Sequence, residues 1–384
     1  MLSLLPDDWD KAVLLGRVDF GDGPTPVAVR GGRLADLSSV APTVSLLLDD
    51  PGQIGAGRDL GPLADFDFAP DWIRRGPPRL LSPLDLHCIK AAGVTFALST
   101  MERVIEERAL GDPAKAQSIR DALETRIGAN LRQCRPGSEQ AAALKAALIA
   151  DGLWSPYLEV AIGPDAEIFT KSAPLSSVGW GAQIGIRASS RWNNPEPEIV
   201  LVCNRHGQAV GAALGNDVNL RDIEGRSALL LGMAKDANAS CSVGPFIRLF
   251  DAHFTLDDIR SASVALEVKG ADNYVLTGEN VMAQISRDPI DLMRQTLLEH
   301  HYPDGFALFL GTMFAPVQDR GVTGQGFTHK DGDLVTIASP RLGALQNRVT
   351  ACSKAPPWDF GIADLMRNLA ERRLLSGPRK TSAT

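Results

Sequence analysis

Short apolar runs with β-strand character recur from Tyr157 onward, and helical patterns do not alternate with them. Gly, Asn and Asp turns separate these runs, and Pro289–His300 is the one clear helical pattern among them. The runs lie at Leu158–Ile162, Glu198–Cys203, Ala209–Leu214, Ser263–Val268, Tyr274–Thr277, Phe306–Leu310 and Leu334–Ala338. A doubly wound parallel sheet needs regular strand–helix alternation. The pattern therefore predicts an α+β, β-rich fold built as a mixed sandwich or roll.

Two domains are expected from the first half of the chain. Short apolar runs at Ala12–Leu15, Pro26–Val29 and Thr43–Leu48 predict a small domain of short strands, and the Pro- and Arg-rich stretch Arg74–Pro83 predicts a linker. The proposed division is residues 1–83 and 84–384, with a helical insertion near 99–151. Its helical patterns are Ser99–Leu110, Pro113–Gln133, with Asp112 as N-cap, and Ser138–Ala150.

Composition excludes several partners and cofactors. The formal net charge of −7 and pI near 5.5 give no attraction for nucleic acid. No uncharged apolar run approaches the roughly 20 residues of a membrane span. The glycines at 52–57 and 179–181 do not fit a dinucleotide fingerprint, so no nucleotide cofactor is expected.

A cytoplasmic location is expected from the cysteines and the N-terminal residues. The five cysteines are scattered without a metal-binding spacing, which is typical of reduced thiols. The start, Met1–Asp10, has no basic region and reaches Pro6 and acidic residues at once, unlike a signal peptide.

The strongest chemical signal is a pair of glutamates at the beginning of a predicted strand. Glu196 and Glu198 are two residues apart, so their side chains share one face. A turn at Asn204–Gly207 would make a hairpin in which facing residue numbers sum to about 411. That register places Glu198 opposite Ala213 and Glu196 opposite Gly215, and it brings Asp217 to the same open end.

Three carboxylates at one point repel each other unless a cation compensates. Oxygen ligands suit Mg²⁺, Mn²⁺ or Ca²⁺, and three protein ligands leave positions for water and substrate, as is typical of Mg²⁺. The alternative is an ordinary solvated strand face with an acidic turn residue. The pattern by itself leaves both open.

At these residues the chain resembles the fumarylacetoacetate hydrolase family. The likeness rests on the E-x-E pair followed about twenty residues later by an N-D-V-x-x-R-D block, here Asn216–Asp222. Further motifs in the family's order lie at Ile168–Lys171, Lys235–Asp236, Gly244–Ile247, Gly311–Thr312, Gly332–Val335 and Gly343–Asn347, so the likeness covers roughly residues 86–350.

The resemblance implies a mixed β-sandwich roll behind a small N-terminal domain, and a homodimer or homotetramer. It implies Mg²⁺, with Mn²⁺ as a substitute, held by Glu196, Glu198 and Asp217. Lys171 and Lys235 resemble family lysines near the metal, and Thr312 resembles the Gly-Thr substrate loop. Lys235 and Thr312 are therefore predicted to bind substrate.

One departure from the family pattern concerns the catalytic base. Carbon–carbon hydrolases of the family use a His partnered by a Glu; here Ser99 stands at the His position and Glu102 at the Glu position. The helix around Thr95–Glu107 and the block ending at Phe250 instead resemble the subgroup of 2-keto-3-deoxy-pentonate dehydratases.

That likeness implies dehydration of 2-keto-3-deoxy-xylonate or -arabinonate to 2-oxoglutarate semialdehyde in pentose catabolism, the small 2-keto sugar acid being the expected partner. An acylpyruvate hydrolase or oxaloacetate decarboxylase is the alternative. The candidate acid–base residues are Glu102, Glu106, Ser99 and Lys171.

Overall fold

The computed structural model describes residues 4–123, 131, 134–314 and 316–375. The strands are β1 Val13–Asp19, β2 Pro24–Arg30, β3 Arg33–Asp36, β4 Arg58–Pro62, β5 Arg79–Leu81, β6 Cys88–Gly93, β7 Glu167–Ser172, β8 Gln183–Ile186, β9 Pro197–Cys203, β10 Ala209–Asp217, β11 Cys241–Leu249, β12 Ser263–Lys269, β13 Val275–Val281, β14 Phe306–Phe309, β15 Leu334–Ser339 and β16 Gly343–Ala351. The helices are α1 Val44–Asp49, α2 Ala97–Arg108, α3 Pro113–Leu123, α4 Glu139–Ala150, α5 Pro156–Ile162, α6 Arg221–Glu224, α7 Leu231–Lys235, α8 Leu256–Arg260, α9 Pro289–Leu297 and α10 Ile362–Glu371.

Two mixed sheets form the body of the protein. The large sheet has the order β4-β3-β2-β1-β11-β10-β9-β14-β6-β7, with β5 paired to β1, and the small sheet has the order β13-β12-β15-β16-β8. Most neighbouring strands are antiparallel, but β14 runs parallel to β6 and β16 parallel to β8. This is the β-rich α+β sandwich that the strand pattern predicts.

The main core lies between the sheets. Ile199 and Leu201 of β9 and Leu214 of β10 pack with Ile337 of β15 and Leu345 of β16. The neighbouring residues of β9, Val200 and Val202, face the opposite side of the large sheet. Both faces of β9 are therefore covered, and all seven of its residues are buried.

The N-terminal strands extend the large sheet rather than forming a sheet of their own. Strand β1 pairs with β11 through Leu14↔Arg248 and Leu15↔Ile247, and β2, β3 and β4 continue outward from it. The predicted linker Arg74–Pro83 contains β5, which pairs with β1. The domain boundary at residue 83 stays a prediction.

Two predicted strand segments are helical, and these predictions were wrong. Leu158–Ile162 belongs to α5, because Ser155 caps the helix and Pro156 occupies its first turn. Thr43–Leu48 is largely α1, where the Asp85 carboxylate accepts hydrogen bonds from the Val44 and Ser45 amides at 2.5 and 3.1 Å. A short apolar run does not distinguish a strand from a short helix.

Helices are present at the predicted helical patterns where the structure describes them, and their assignment to an insertion stays a prediction. Helix α2 covers most of the predicted Ser99–Leu110, α4 begins after the N-cap Ser138, and α3 begins at Pro113 with Asp112 accepting from the Ala114 amide. The predicted continuation of α3 to Gln133 lies largely outside the described residues. Among the described helices, none has both the length and the apolar composition to cross a bilayer.

Candidate active site

The β9–β10 hairpin brings the predicted carboxylates together, but in a different register. Facing residues pair as Glu198↔Gly215, two positions from the predicted Ala213. The pair Ala209↔Cys203 beside the turn is already one position off, and the shift between Ala209 and Gly211 adds the second. Asp217 donates its amide to the Glu196 carbonyl at 3.0 Å. The two residues are thus direct neighbours, a closer arrangement than the sum of 411 predicted.

Glu196, Glu198 and Asp217 form a buried triad. One carboxylate oxygen from each lies within 4.8 Å of the others, and each side chain is at most 2% exposed. The Glu198 carboxylate accepts from the Gly311 amide at 2.7 Å and the Thr312 hydroxyl at 3.3 Å. The Gly-Thr segment after β14 therefore orients one member of the triad.

Two buried lysines neutralise part of this charge. Lys235, the last residue of α7, binds Glu196 and lies 3.0 Å from Asp217 Oδ2. Lys171 of β7 lies 2.8 Å from Asp217 Oδ1, and its ammonium also donates to the Lys235 carbonyl and, at 3.5 Å, to the Ser240 hydroxyl. Both predicted lysines therefore touch the triad.

The charges act differently on the two glutamates. Burial alone would raise the pKa of Glu196, but Lys235 and Arg103 outweigh burial and lower the pKa to about 2. Burial raises the pKa of Glu198 well above its usual value, and Asp217 and Glu196 raise it further. Burial alone would lower the pKa of Lys235, but Asp217 and Glu196 raise it, so the Lys235 ammonium stays charged.

The triad has the donor chemistry of a divalent-metal site. All of its ligand atoms are carboxylate oxygens, which suit Mg²⁺. Asp217 Oδ1 is buried and accepts no hydrogen bond from any described residue, since the nearby Lys171 ammonium is not in hydrogen-bond geometry. A buried carboxylate oxygen that accepts no hydrogen bond, next to two further carboxylates, fits a bound cation.

An ion-pair network that was not predicted surrounds the triad. Arg103 of α2 donates to Glu196, to Glu106 at 2.8 Å and lies 3.1 Å from Glu224. Burial raises the pKa of Glu224 to about 7, against the opposing charge of Arg103. Arg103 thus links α2 to the triad. In the sequence, the neighbouring Glu102 and Glu106 were named as candidates, but Arg103 was not.

Glu102 and Glu106 lie in this network rather than free in the site. Arg221 of α6 binds both, and Arg120 of α3 donates to Glu102 at 2.8 and 3.0 Å. Burial opposes ionisation of Glu102, but Arg221 and Arg120 lower its pKa. Because protonation would break these ion pairs, the geometry argues against an acid role for Glu102. Arg221 belongs to the N-D-V-x-x-R-D block, so a signal for it was present.

We expect Arg221→Met to destabilise the protein by about 3–5 kcal/mol, because it removes one of the cationic partners from each of two buried carboxylates, Glu102 and Glu106. Arg221 is 1% exposed and also stacks on Trp192 at 4.5 Å. Urea unfolding followed by circular dichroism measures the change. The matched control is Arg260→Met, which removes ion pairs to Asp257 and Asp288 from a half-exposed arginine and should cost less than about 1 kcal/mol. Equal losses in both variants would contradict this role of Arg221.

Ser99 faces the backbone of its own helix. Its hydroxyl donates to the Phe96 carbonyl at 2.8 Å and accepts from the Phe96 amide at 3.3 Å, so it serves the N-terminus of α2. Among the described contacts, no hydrogen bond joins Ser99 to Glu102 or Glu106, although all three were acid–base candidates.

We expect Ser99→Ala to cost about 1 kcal/mol of stability, as other lost helix caps do, and to change kcat by no more than about threefold, far less than the loss of an acid–base group. Thermal unfolding and steady-state kinetics measure the two effects. A loss of kcat near 100-fold with unchanged stability would restore Ser99 as a catalytic candidate.

Glu167 is a site residue that the sequence interpretation passed over. It lies on β7 two residues before Phe169, so these two side chains share one face of the strand, and Lys171 follows where the pairing with β6 is irregular. The Phe169 ring lies 5.9 Å from the Lys235 ammonium, and Lys171 reaches the triad. Gly93 makes room for this glutamate, because a Cβ there would meet its carboxylate at 1.9 Å.

The Glu167 carboxylate has an unusual environment. Within the described part of the chain it forms no hydrogen bond or ion pair. Burial raises its pKa, and the more distant Arg103 and Lys235 offset this only in part. A carboxylate beside a cationic site with a raised pKa and no fixed partner is suited to proton transfer.

Comparisons with known proteins find relatives in sequence and in structure. The chain is 30% identical over 182 residues to the 2-dehydro-3-deoxy-D-arabinonate dehydratase of Saccharolobus solfataricus, covering 47% of this chain and 57% of that protein. It is 29% identical over 194 residues to the probable 2-keto-3-deoxyxylonate dehydratase of Haloferax volcanii, covering 50% and 63%. The chain thus spans less than two thirds of either relative. No family model matches it.

Solved structures share the fold over most of the chain. A hexagonal crystal form of 2-keto-3-deoxyarabinonate dehydratase superposes with a TM-score of 0.64 at 21% identity, covering 88% of this chain and 99% of that chain. The same coverage holds for the 2-keto-3-deoxy-D-arabinonate dehydratase complexed with magnesium and 2,5-dioxopentanoate, at a TM-score of 0.60 and 20% identity. The fumarylacetoacetate hydrolase of Exiguobacterium antarcticum superposes at 0.54 and 16% identity, covering 88% and 100%. The chain is therefore a homologue of proteins named 2-keto-3-deoxy-pentonate dehydratases and has the fold of the fumarylacetoacetate hydrolase family.

Proposed function

We propose that the protein is a Mg²⁺-dependent hydro-lyase that converts a 2-keto-3-deoxy-pentonate, of the xylonate or arabinonate type, to 2-oxoglutarate semialdehyde. The observation that carries the proposal is the buried carboxylate triad together with the charged Lys235 and with Glu167, which has no hydrogen-bond or ion-pair partner among the described residues. The names of the two relatives support the substrate class, and the magnesium in one structural neighbour supports the metal.

The proposed roles follow from the contacts. Mg²⁺ held by Glu196, Glu198 and Asp217 would supply Lewis-acid polarisation of the 2-keto group. The Lys235 ammonium stabilises negative charge that develops on the keto oxygen. Thr312 and Gly311 orient Glu198. Lys171 is held by Asp217 and by backbone carbonyls, which suits a positioning cation better than the base that was one of its expected roles.

Glu167 is the proton-transferring group in this proposal. It removes a proton from C3, the C4–O bond breaks, and the leaving hydroxyl departs as water with a proton returned by the same carboxyl group. Loss of a proton from C5 and addition of one at C3 move the resulting C3–C4 double bond to C4–C5. The enol so formed loses its hydroxyl proton and gains a proton at C4, which produces the C5 aldehyde. Glu102 and Glu106 support Arg103 and Arg221 instead of exchanging protons.

The alternative, an acylpyruvate hydrolase or oxaloacetate decarboxylase, has less support from the geometry. A hydrolytic base at position 99 would need an imidazole, whereas Ser99 binds the backbone of its own helix. We also propose that Mn²⁺ can replace Mg²⁺ and that the protein is cytoplasmic. We further propose that it is a homodimer or homotetramer, and light scattering on the purified protein would measure this oligomeric state.

We expect purified protein with Mg²⁺ to convert a 2-keto-3-deoxy-pentonate to 2-oxoglutarate semialdehyde. Proton NMR in D₂O follows both the aldehyde and deuterium entry at C3. The xylonate and D- and L-arabinonate forms are compared, and excess EDTA should stop the reaction. Protein that is inert on all of these compounds but cleaves oxaloacetate or an acylpyruvate would refute dehydration while leaving the metal site intact.

A further inference from the structure

A cavity of about 320 Å³, separate from the carboxylate triad, lies between N-terminal strands and the segment that follows β16. Its walls include Arg17 of β1, Arg79 of β5, Trp180, Gln183 of β8 and Trp358. None of the triad carboxylates lines it. The volume is within the range of about 300–1,000 Å³ that small-molecule sites occupy.

Arg17 is the reason to regard this cavity as a binding site. The side chain is 6% exposed, and its one hydrogen bond to a described residue goes from Nη1 to the Leu84 carbonyl. Its Nε is buried without an acceptor, and no described carboxylate forms an ion pair with it; Asp85 acts only from a greater distance. A buried guanidinium that lacks an anion is costly.

Other groups of the cavity define the rest of the ligand. Gln183 Oε1 is buried without a donor, so it can accept from a hydroxyl or N–H group. Trp180, Trp358 and Phe360 give apolar walls. Arg79 already binds Asp19 at 2.9 Å, which leaves Arg17 as the unpaired cation of the wall within the described structure.

The wall also carries the solvent-exposed Asp359 and the half-buried Asp71, and Asp71 does not oppose an anion strongly. Burial raises its pKa, against the attraction of Arg79 and Arg75, and a nearby carboxylate would favour its neutral form further. We propose that the cavity binds a small organic carboxylate with an apolar body and one hydrogen-bond donor, the carboxylate on Arg17 and the donor on Gln183.

The probe for this site is 3-(4-hydroxyphenyl)propionate, with titration calorimetry and tryptophan fluorescence as readouts. We expect saturable binding in EDTA, because the site does not involve the triad. The neutral amide should bind about tenfold more weakly or worse, since it loses a charge-assisted hydrogen bond, and 3-phenylpropionate should also bind more weakly because it has no phenolic donor.

Two variants address the location. Arg17→Met should weaken binding at least about tenfold for the same reason, and Arg260→Met should not change it. Ala182→Phe fills the cavity while keeping Arg17 and should abolish binding, which keeps the test decisive if Arg17→Met folds poorly. No binding to the wild type at millimolar probe, binding that requires Mg²⁺, or equal binding by all variants would overturn the proposal.

Discussion

Glu198→Ala should lower the affinity for Mg²⁺ by at least about 100-fold, more than is typical when only an outer-shell partner is lost, and reduce turnover at least about 1,000-fold. The physical reason is the loss of one of three carboxylates whose oxygens lie within 4.8 Å of one another. Calorimetric titration with Mg²⁺ and the NMR assay measure the two effects.

Glu198→Gln removes the negative charge of the side chain while keeping its size and shape. The amide oxygen can still accept from the Gly311 amide while its NH2 group donates to the Thr312 hydroxyl, and the substitution removes a negative charge beside Asp217 and Glu196. We therefore expect this variant to unfold in EDTA at a temperature equal to or above that of the wild type, while losing Mg²⁺ affinity as the alanine variant does.

The matched control for both variants is Glu139→Ala, at the exposed start of α4, which should leave Mg²⁺ affinity and turnover unchanged. If Glu198→Ala retained wild-type Mg²⁺ affinity, the triad would not be the metal site.

Glu167→Gln should reduce kcat by about 10²- to 10⁴-fold, the usual contribution of a general acid–base group, with little change in Mg²⁺ affinity. The expectation rests on the raised pKa of Glu167 and its lack of a fixed partner among the described residues. Deuterium entry at C3 should fall in parallel, because the same group removes the C3 proton.

The pH profile gives an independent readout of Glu167. A base must be ionised to act, and burial raises the pKa of Glu167. In the wild type kcat should therefore fall with decreasing pH through that raised pKa, above the range of an ordinary glutamate near 4.3. Glu167→Gln should lose this limb. Glu159→Gln, which removes a surface pair with Lys145, serves as control. Rapid C3 exchange in Glu167→Gln would show that another residue is the base.

The candidate site was partly predictable because strand geometry is local. The two-residue spacing of Glu196 and Glu198 and a following turn are enough to place both on one face and Asp217 nearby. The exact partner across the hairpin was not predictable, because the shift between Ala209 and Gly211 depends on how β10 meets β9 and β11. That shift is what makes Asp217 the direct neighbour of Glu196.

The roles of the α2 residues could not be predicted from local sequence patterns. Glu102 and Glu106 were both acid–base candidates, but their ion-pair partners Arg221 and Arg120 come from α6 and α3. In the sequence such a pair could equally be a proton donor, a metal ligand or an ion-pair partner. Glu167 was overlooked for a related reason: its raised pKa comes from burial, which depends on residues distant in the sequence.

The sequence by itself predicted the β-rich class, most strand positions, the helical patterns and the acidic triad, because alternation, turn residues and motif spacing act over a few residues. The two lysines were predicted only from the family resemblance. Tertiary structure alone decided that β1 joins β11, that Asp85 makes Thr43–Leu48 a helix, and that the charge of Arg17 faces a cavity. These outcomes depend on which distant groups share a buried space, where an unpaired charge or hydrogen-bonding group is costly.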